Sequence, residues 1–243
     1  MMNSPSATQF KIDCTYCPVR HRAICARCEG DEIERLNDIK HYRSYEPGQT
    51  IAFQGEKSEI VASVVSGVAT LTTSLEDGRT QVVGLLLPSD FMGRPGRETI
   101  AHDVVAATDV TLCCFQKHPF EKLLEEIPHL NQRMLEMALD ELDAAREWML
   151  LLGRKSAREK VASFLLLIAR RSGNPEAKSL GSESKIELPL SREVVANYLG
   201  LTIETVSRQL TILRKDGVID LEGARTILIP EGAALAEAAG AID

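Results

Sequence analysis

The sequence predicts an α+β protein: an N-terminal antiparallel β-barrel or jelly roll, then one long helix, then a C-terminal winged helix-turn-helix. Three observations predict this fold class. Short β-rich runs alternate with turn residues from Tyr42 to Phe115. An amphipathic helical pattern then follows Pro128. Finally, residues 188–219 hold two short helical segments joined by a glycine, and an alternating hairpin comes after them.

Length and composition bound the class of protein. The 243 residues suffice for one large or two ordinary domains. The net charge of −7 does not by itself indicate a nucleic-acid partner. The N-terminus lacks the basic and apolar regions of a signal peptide, and the longest apolar run, Phe164 to Ala169, is too short for a membrane helix. We therefore expect a cytoplasmic protein without membrane association, in which thiols stay reduced.

The β-rich region is divided by turn sequences such as Glu-Pro-Gly-Gln at 46–49 and Glu-Asp-Gly-Arg at 76–79. The runs on either side of the second turn, residues 61–75 and 80–87, predict a hairpin. Evenly spaced short strands are typical of a small antiparallel sandwich or barrel. With short helices predicted at 31–39 and 119–127, this region forms a β domain of residues 31–127, preceded by a cysteine-rich segment of residues 1–30.

Residues 128–153 form the predicted long helix, which Pro128 opens. Its apolar side chains recur at helical spacing as one stripe: Leu135, Leu139, Leu142 and Met149, widened by Met134, Ala138, Ala145 and Leu152. An apolar helix between two domains is a natural homodimer seam. We therefore predict a dimer interface through Leu135, Leu139, Leu142, Ala145 and Met149. The alternative is a helix that packs only within its own chain.

The C-terminal domain, residues 154–243, begins with a helix for which Ser156 and Glu159 supply a capping-box pattern. A loop rich in Gly, Pro and Ser is predicted at 173–185, and the tail through Ser6 is expected to be disordered. Two helices follow with the spacing of a helix-turn-helix. Ser191 caps the first, Gly200 supplies the turn because glycine freely adopts positive φ, and Thr202 caps the second.

The second helix of this pair has two distinct faces. The sequence predicts an inward face of Ile203, Val206, Leu210 and Leu213, and an outward face of Glu204, Ser207, Arg208 and Thr211. On the outward face, Arg208 can donate a bidentate pair to guanine, Glu204 can accept from cytosine N4, and Ser207 can contact a base or phosphate. We predict DNA contacts for Arg192, Thr202, Glu204, Thr205, Ser207, Arg208 and Thr211.

Two further features belong to the same prediction. The strand pair that turns at Glu222 and Gly223 would be the wing, and the many Lys and Arg residues of 154–243 would contact phosphates. The alternative is a solvated polar helix face that binds nothing.

Four of the six cysteines lie within residues 13–30, as two Cys-x-x-Cys pairs: Cys14 with Cys17 and Cys25 with Cys28. In a reducing compartment such clusters more often bind metal or react than form disulfides. From the residues alone, these pairs suit a zinc site with four thiolate ligands, or free or redox thiols. His21, between the pairs, is either an alternative ligand or, more plainly, an exposed loop histidine.

The two remaining cysteines, Cys113 and Cys114, are adjacent in a predicted strand. Their side chains then point to opposite faces, so only one of them can face the N-terminal thiols. From the residues alone, the plain interpretation of Cys113 is a buried core thiol.

The succession of β domain, long helix and winged helix-turn-helix resembles the CRP/FNR superfamily of bacterial transcription regulators over nearly the whole chain. The segment NYLGLTIETVSRQL resembles the FNR recognition element. FNR-type oxygen sensors bind a [4Fe–4S] cluster through an N-terminal Cys group and one Cys of the β domain. The resemblance implies the ligands Cys14, Cys17, Cys25 and Cys113. Cys113 matches by its spacing to the proline that opens the long helix, and Cys28 is a rival to Cys25.

The resemblance also implies a function. It predicts a cytoplasmic homodimer that responds to molecular oxygen and, with the cluster intact, binds double-stranded DNA at two inverted TTGAT-like half-sites. It would recruit RNA polymerase and activate, or sometimes repress, transcription, with loops 76–79 and 93–97 as candidate polymerase surfaces. A cofactor-free regulator, like the FixK relatives, or a zinc-bearing regulator is the alternative.

Two other activities are not expected. CRP-like proteins bind the phosphate of a cyclic nucleotide with a Gly-Glu pair and a later Arg-Ser pair. Here Arg94 follows Gly93, and no Arg-Ser pair comes just before the last predicted strand of the β domain. Enzymatic activity is not expected either, because the five histidines are scattered and no catalytic triad, P-loop or Rossmann fingerprint occurs.

Overall fold

The computed structural model describes residues 12–74, 76–78, 80–171, 184–223 and 225–240. By its internal contacts the chain divides into two compact units, Met1–Asp143 and Ala144–Asp243. The division falls within the long helix α3 (Pro128–Arg154), which begins at the predicted proline. The tail predicted to be disordered, and residues 173–183 of the predicted loop, lie outside the described residues. The predicted α+β class is confirmed.

Two antiparallel four-stranded sheets form a β-roll in the first unit, with strand orders β1-β8-β3-β6 and β2-β7-β4-β5. The strands are β1 (Lys40–Tyr45), β2 (Thr50–Ala52), β3 (Ile60–Ser66), β4 (Ala69–Ser74), β5 (Thr80–Leu86), β6 (Phe91–Met92), β7 (Asp103–Ala106) and β8 (Val110–Gln116). The predicted hairpin is the pair β4 and β5. The run 61–75, however, contains two strands that belong to different sheets.

The chain changes sheet at Gly67, between β3 and β4. Gly67 has a φ of +81°, and a Cβ at this position would lie 1.9 Å from the backbone oxygen of Asp109. Only glycine tolerates both the positive φ and this close backbone approach. The residue therefore allows one apolar run to serve both layers of the roll.

Apolar side chains of both sheets fill the interior of the roll, among them Ala62, Val64, Ala69, Leu86, Val104, Leu112 and Cys114. Alternation along β8 sends Cys114 into this interior, where it is fully buried, and sends Cys113 to the outer face of the sheet. The prediction that the two adjacent cysteines point to opposite faces is thus confirmed.

Helices cover the outer face of the β1-β8-β3-β6 sheet. The helix α1 spans Asp31–Ile39, as predicted, and α2 spans Lys117–Glu126, two residues earlier at its start than predicted. Their apolar faces join a second core with Val61 and Phe115 of the strands and with Leu130 of α3. The ring of Phe120 lies 5.2 Å from that of Phe115, centroid to centroid, within this core. The cysteine-rich segment lies on the same face.

The second unit is a winged helix-turn-helix built on the end of α3. Its elements are α4 (Ala157–Arg171), β9 (Ser184–Glu187), α5 (Arg192–Leu199), α6 (Ile203–Lys215), β10 (Asp220–Glu222), β11 (Thr226–Ile229) and α7 (Gly232–Ala238). The wing is the antiparallel sheet β10-β11-β9. The predicted capping box of α4 is confirmed, since the amide of Ser156 donates to Glu159 Oε2 at 2.7 Å and Ser156 Oγ accepts from the amide of Glu159.

Candidate functional site

Cys17, Cys25 and Cys113 lie together on the outer face of the β-roll, although 88 positions separate Cys25 from Cys113 in the chain. All three pack against a small apolar cluster of Val19, Ala23 and Val65. A short 3-10 helix (Cys14–Tyr16), capped by the Asp13 side chain, carries Cys14. The strand β8 supplies Cys113 from the rigid sheet, whereas the other three thiols come from the irregular N-terminal segment.

Electrostatic interactions connect the four thiols. The pKa of Cys25 is raised to about 11, first by burial and then by the neighbouring Cys17 and Cys14. Burial is also the main cause that raises the pKa of Cys113, followed by Cys14 and Cys25. The pKa of Tyr42 is raised by burial and then by Cys113, Cys17 and Cys14. The structure therefore brings together the four cysteines that the sequence analysis named as ligands.

The other two cysteines have different surroundings. Cys28 and Cys114 are buried, whereas the four grouped thiols are half-buried. Cys28 lies in the core with Ile24 and Leu36, and its pKa is raised to about 12 by burial first and by Glu32 second. The neighbours that shift it include Cys25, Arg20 and Glu32 but not the other grouped thiols. The predicted rival ligand thus faces the protein interior.

Polar side chains surround the grouped thiols. Lys40 Nζ lies 3.0 Å from Cys14 Sγ and also donates to the backbone oxygen of Ile12 at 2.7 Å. The hydroxyl of Tyr42 donates to the same oxygen. Arg20 donates from Nη2 to the backbone oxygen of Cys28, and its buried Nε has no hydrogen-bond partner among the described residues. The alternative ligand His21 is exposed.

The donor set fits a [4Fe–4S] cluster in its chemistry. Four thiols, an apolar wall and nearby cationic donors are what a buried anionic cluster with thiolate ligands requires. Among the residues that the structure describes, no three His, Cys, Asp or Glu side chains converge closely enough for a single metal ion. Cluster thiolates bind different iron atoms, so they need not converge on one point.

The cysteine-rich segment is attached to the beginning of α3. Arg133 donates from Nη2 to the backbone oxygen of Arg22 at 2.6 Å and from Nε to that of Ala23 at 3.3 Å. Arg27 forms an ion pair with Glu136 at 2.7 Å, and Arg133 also contacts Glu136. These links join the segment that carries the thiols to the predicted dimer helix. Sequence reasoning missed Arg133, because no local pattern distinguishes it from a solvated helix residue.

The predicted dimer stripe of α3 is exposed in the single chain. Leu135 is 59% exposed, Leu139 53%, Leu142 45% and Met149 68%, and Ala145 is exposed as well. Leu150, which the sequence analysis did not include, is 57% exposed. Met134, which was predicted to widen the stripe, instead packs against the core beneath the helix. An exposed apolar patch of this kind marks an interaction surface.

The helix-turn-helix has the predicted caps. Ser191 Oγ accepts from the amide of Val194 at 3.3 Å, and Thr202 Oγ1 accepts from the amide of Thr205 at 3.2 Å. Gly200 adopts a left-handed conformation with a φ of 62° and ends α5. Because these contacts set the angle between α5 and α6, they fix which face of α6 is presented outward.

The outward face of α6 is as predicted, with Glu204, Ser207, Arg208 and Thr211 exposed. Hydrogen bonds from its own amide and from the Thr202 side chain lower the pKa of Glu204, so its carboxylate stays an ionised acceptor. The prediction of the inward face was wrong for one residue. Val206, Leu210 and Leu213 are buried, but Ile203 is 44% exposed. Ile203 is the first residue of the helix and extends beyond the core that the later turns contact.

Arg192, a predicted DNA contact on the first turn of α5, is half-buried. Burial lowers its pKa, and its Nη1 is buried without a hydrogen-bond partner among the described residues. Thr205 is half-buried and its hydroxyl lies 3.1 Å from that of Thr202. Of the predicted DNA contacts, Arg192 and Thr205 are therefore half-buried, and the others are exposed: Thr202, Glu204, Ser207, Arg208 and Thr211.

Family comparisons match both units. A family of Crp-like helix-turn-helix domains matches residues 159–238, and a family of cyclic nucleotide-binding domains matches residues 42–127. The transcriptional activator protein FnrL of Cereibacter sphaeroides is 58% identical over 227 residues, which cover 93% of this chain and 92% of FnrL. The nitrogen fixation regulation protein FixK of Bradyrhizobium diazoefficiens is 38% identical, over 89% of this chain and 90% of FixK.

A solved structure extends the similarity to the fold. FixK2 from Bradyrhizobium japonicum superposes with a TM-score of 0.76 at 32% identity, over 84% of this chain and 100% of FixK2. These relatives are transcription regulators rather than enzymes. With its matching β-roll, helix-turn-helix and nearly full-length relatives, the chain belongs to the CRP/FNR family as a DNA-binding transcriptional activator of the FNR/FixK type.

Proposed function

We propose that this regulator responds to oxygen through a [4Fe–4S] cluster bound by Cys14, Cys17, Cys25 and Cys113. The observation that carries the proposal is that these four thiols are grouped on one face of the β-roll. Three of them come from the N-terminal segment and the fourth from β8, near the other end of the sensor domain's sequence. The similarity to FnrL supports it. When bound, the cluster supplies reactivity toward oxygen, and its loss leaves the N-terminal segment without its main cross-link.

The protein's own residues couple this segment to dimerisation. Arg133 binds the backbone oxygens of Arg22 and Ala23, and Glu136 pairs with the side chain of Arg27, so the order of the segment is tied to the beginning of α3. The exposed Leu135, Leu139 and Leu142 lie on the same helix. A segment fixed by four thiolates would favour one position of α3, and hence one dimer geometry, by population shift.

The proposed active form is a cytoplasmic homodimer that binds DNA. The family and the helix-turn-helix match support DNA binding and a homodimer. In the proposal Arg208, Glu204 and Ser207 contact base edges at two inverted TTGAT-like half-sites one helical turn apart. The dimer would recruit RNA polymerase, with loops 76–79 and 93–97 as candidate contact surfaces. Among the described residues, no helix combines the length and apolar character needed to cross a membrane.

Purification without air tests this proposal. The expected protein absorbs broadly in the visible range and contains iron and sulfide in the ratio of a [4Fe–4S] cluster. Binding to a palindromic site should weaken after exposure to air. A colourless preparation that carries zinc, or one without metal that binds DNA equally with and without air, would overturn it.

The second candidate is a regulator without a cofactor. The FixK relatives favour it, since both the sequence identity and the structural similarity extend over most of the chain. In that case the grouped thiols would be free, and replacing all four by serine would leave DNA binding and its response to air unchanged.

A further inference from the structure

Ser63 is a buried polar residue in the sheet that carries Cys113. Its side chain is only 3% exposed, and its Oγ has no hydrogen-bond partner among the residues that the structure describes. A hydroxyl buried without a partner costs free energy, and such a group in a folded protein calls for a physical explanation. By contrast, the buried hydroxyl of Thr70 in the same roll donates to the backbone oxygen of Val105.

The position of Ser63 supplies the explanation. Ser63 of β3 is paired with Cys113 of β8, and Cys113 is paired with Tyr42 of β1. Directly opposite residues of an antiparallel pair have side chains on the same face, with Cβ atoms about 5 Å apart. Tyr42, Cys113 and Ser63 therefore form one row across the sheet. Val65, two residues farther along β3, packs against Cys17, Cys25 and Cys113 on this outer face.

We propose that Ser63 is a positioning residue of the cluster site, whose hydroxyl donates a hydrogen bond to the sulfur of Cys113 when that sulfur is a cluster ligand. The inference rests on the cluster proposed above. A neutral thiol is a weak acceptor, whereas a thiolate on iron is a stronger one, so the hydroxyl obtains its partner only in the loaded protein. Tyr42, on the other side of Cys113, donates to the backbone oxygen of Ile12 and its hydroxyl also interacts with the Cys113 thiol, so Ser63 is the hydroxyl of this row that is left without a partner among the described residues.

The hydrogen bond has a defined chemical effect. Donation to a ligating sulfur withdraws electron density from the cluster and favours its more reduced state, which raises the reduction potential. Oxidation by molecular oxygen becomes correspondingly harder. Ser63 would thus set how readily the protein responds to oxygen, without itself binding iron.

The test compares Ser63→Ala with Ser63→Thr, which keeps a hydroxyl, and with Thr70→Val as the control for loss of a buried hydroxyl elsewhere in the roll. All proteins are purified without air and matched for iron and sulfide content. The readouts are the midpoint potential of the cluster's one-electron reduction, followed by electron paramagnetic resonance, and the rate of visible bleaching in air.

The expected result is a lower midpoint potential and several-fold faster bleaching for Ser63→Ala, with Ser63→Thr close to wild type and Thr70→Val unchanged. Thermal unfolding of the cluster-free proteins gives a second, independent readout. There Ser63→Ala should unfold at the same or a higher temperature than wild type, because it removes an unsatisfied buried hydroxyl.

Two outcomes separate this inference from the function on which it rests. A wild-type protein that assembles no cluster overturns the proposed function itself. A wild-type protein that holds the cluster, with a Ser63→Ala variant of identical potential and bleaching rate, overturns only the role of Ser63. A variant whose cluster-free form is destabilised while its potential is unchanged assigns Ser63 a purely structural role, which also refutes the inference.

Discussion

The guanidinium of Arg133 in the long helix donates a hydrogen bond of 2.6 Å to the backbone oxygen of Arg22 in the cysteine-rich segment. A second bond joins it to the neighbouring carbonyl of Ala23. Both contacts are to the backbone, so they depend on the path of the segment rather than on its side chains. They make the beginning of α3 sensitive to whether residues 14–28 keep their conformation.

Arg133→Met should loosen this connection. Loss of hydrogen bonds to a charged group is expected to cost about 1–3 kcal/mol of unfolding free energy, and amide hydrogen exchange across residues 19–28 should accelerate. Exchange followed by mass spectrometry and urea unfolding measure the two effects. Arg94→Met, which removes an exposed arginine from a loop, is the control. Unchanged exchange in residues 19–28 would show that Arg133 does not hold the segment.

Cys25→Ala and Cys28→Ala should behave differently. Cys25 lies with Cys17 and Cys113, so its replacement should abolish the visible absorption and most of the iron. Cys28 is fully buried in the core with Ile24 and Leu36, so Cys28→Ala should keep the cluster and lower stability by about 1 kcal/mol through the cavity it leaves. Iron and sulfide analysis after anaerobic purification measures how much cluster each variant holds. Cluster loss in Cys28→Ala alone would reverse the assignment.

The cluster-free protein should lose stability as pH rises above about 9. The pKa of Cys25 is raised to about 11 and that of Cys28 to about 12, in each case mainly by burial. Between the ordinary thiol pKa and these values the unfolded chain releases protons that the folded chain retains, so the unfolding free energy falls with increasing pH. Chemical denaturation from pH 8 to pH 11 measures the slope. Cys28→Ala removes one such group and should show a shallower slope than wild type, and an equal slope would contradict the burial of this thiol.

Leu139→Asp should produce a monomer. Leu139 is central in the exposed stripe with Leu135 and Leu142, and an unpaired carboxylate buried in a helix seam opposes association. Sedimentation equilibrium of the cluster-loaded protein measures the dimer dissociation constant, which should rise by at least about ten-fold. Ala144→Asp places the same charge on the opposite side of α3 and is the matched control. A dimer that tolerates Leu139→Asp would exclude this stripe as the seam.

Arg208→Ala should relax specificity at one base pair. Arg208 is exposed beside Glu204 on the outward face of α6, and loss of a bidentate contact to guanine costs about 1–3 kcal/mol at that position. Competition binding across half-sites varied one base at a time gives the preference. Arg214→Ala, which removes the same charge from the last turn of α6, should weaken all sites equally. An Arg208→Ala variant with the wild-type preference would refute the base-reading role.

Local features could be predicted from the sequence because their causes are local. The cap residues Ser156, Ser191 and Thr202, and the turn at Gly200, act on amides and dihedral angles within a few residues. The same holds for α1 and for the opposite directions of Cys113 and Cys114, which follow from helical and strand periodicity. Ile203 was placed wrongly, because periodicity indicates a direction around the helix but not where the core ends along it.

The sequence by itself determined the architecture, the two Cys-x-x-Cys pairs and the polar face of α6. Only the tertiary structure decided that Cys25 rather than Cys28 lies beside Cys17 and Cys113, that Ser63 is buried next to Cys113 without a partner, and that Arg133 contacts the cysteine-rich segment. The physical reason is that these relationships join residues far apart in the chain. Sheet register and the packing of the segment on the roll set them, and neither is encoded in any short stretch of sequence.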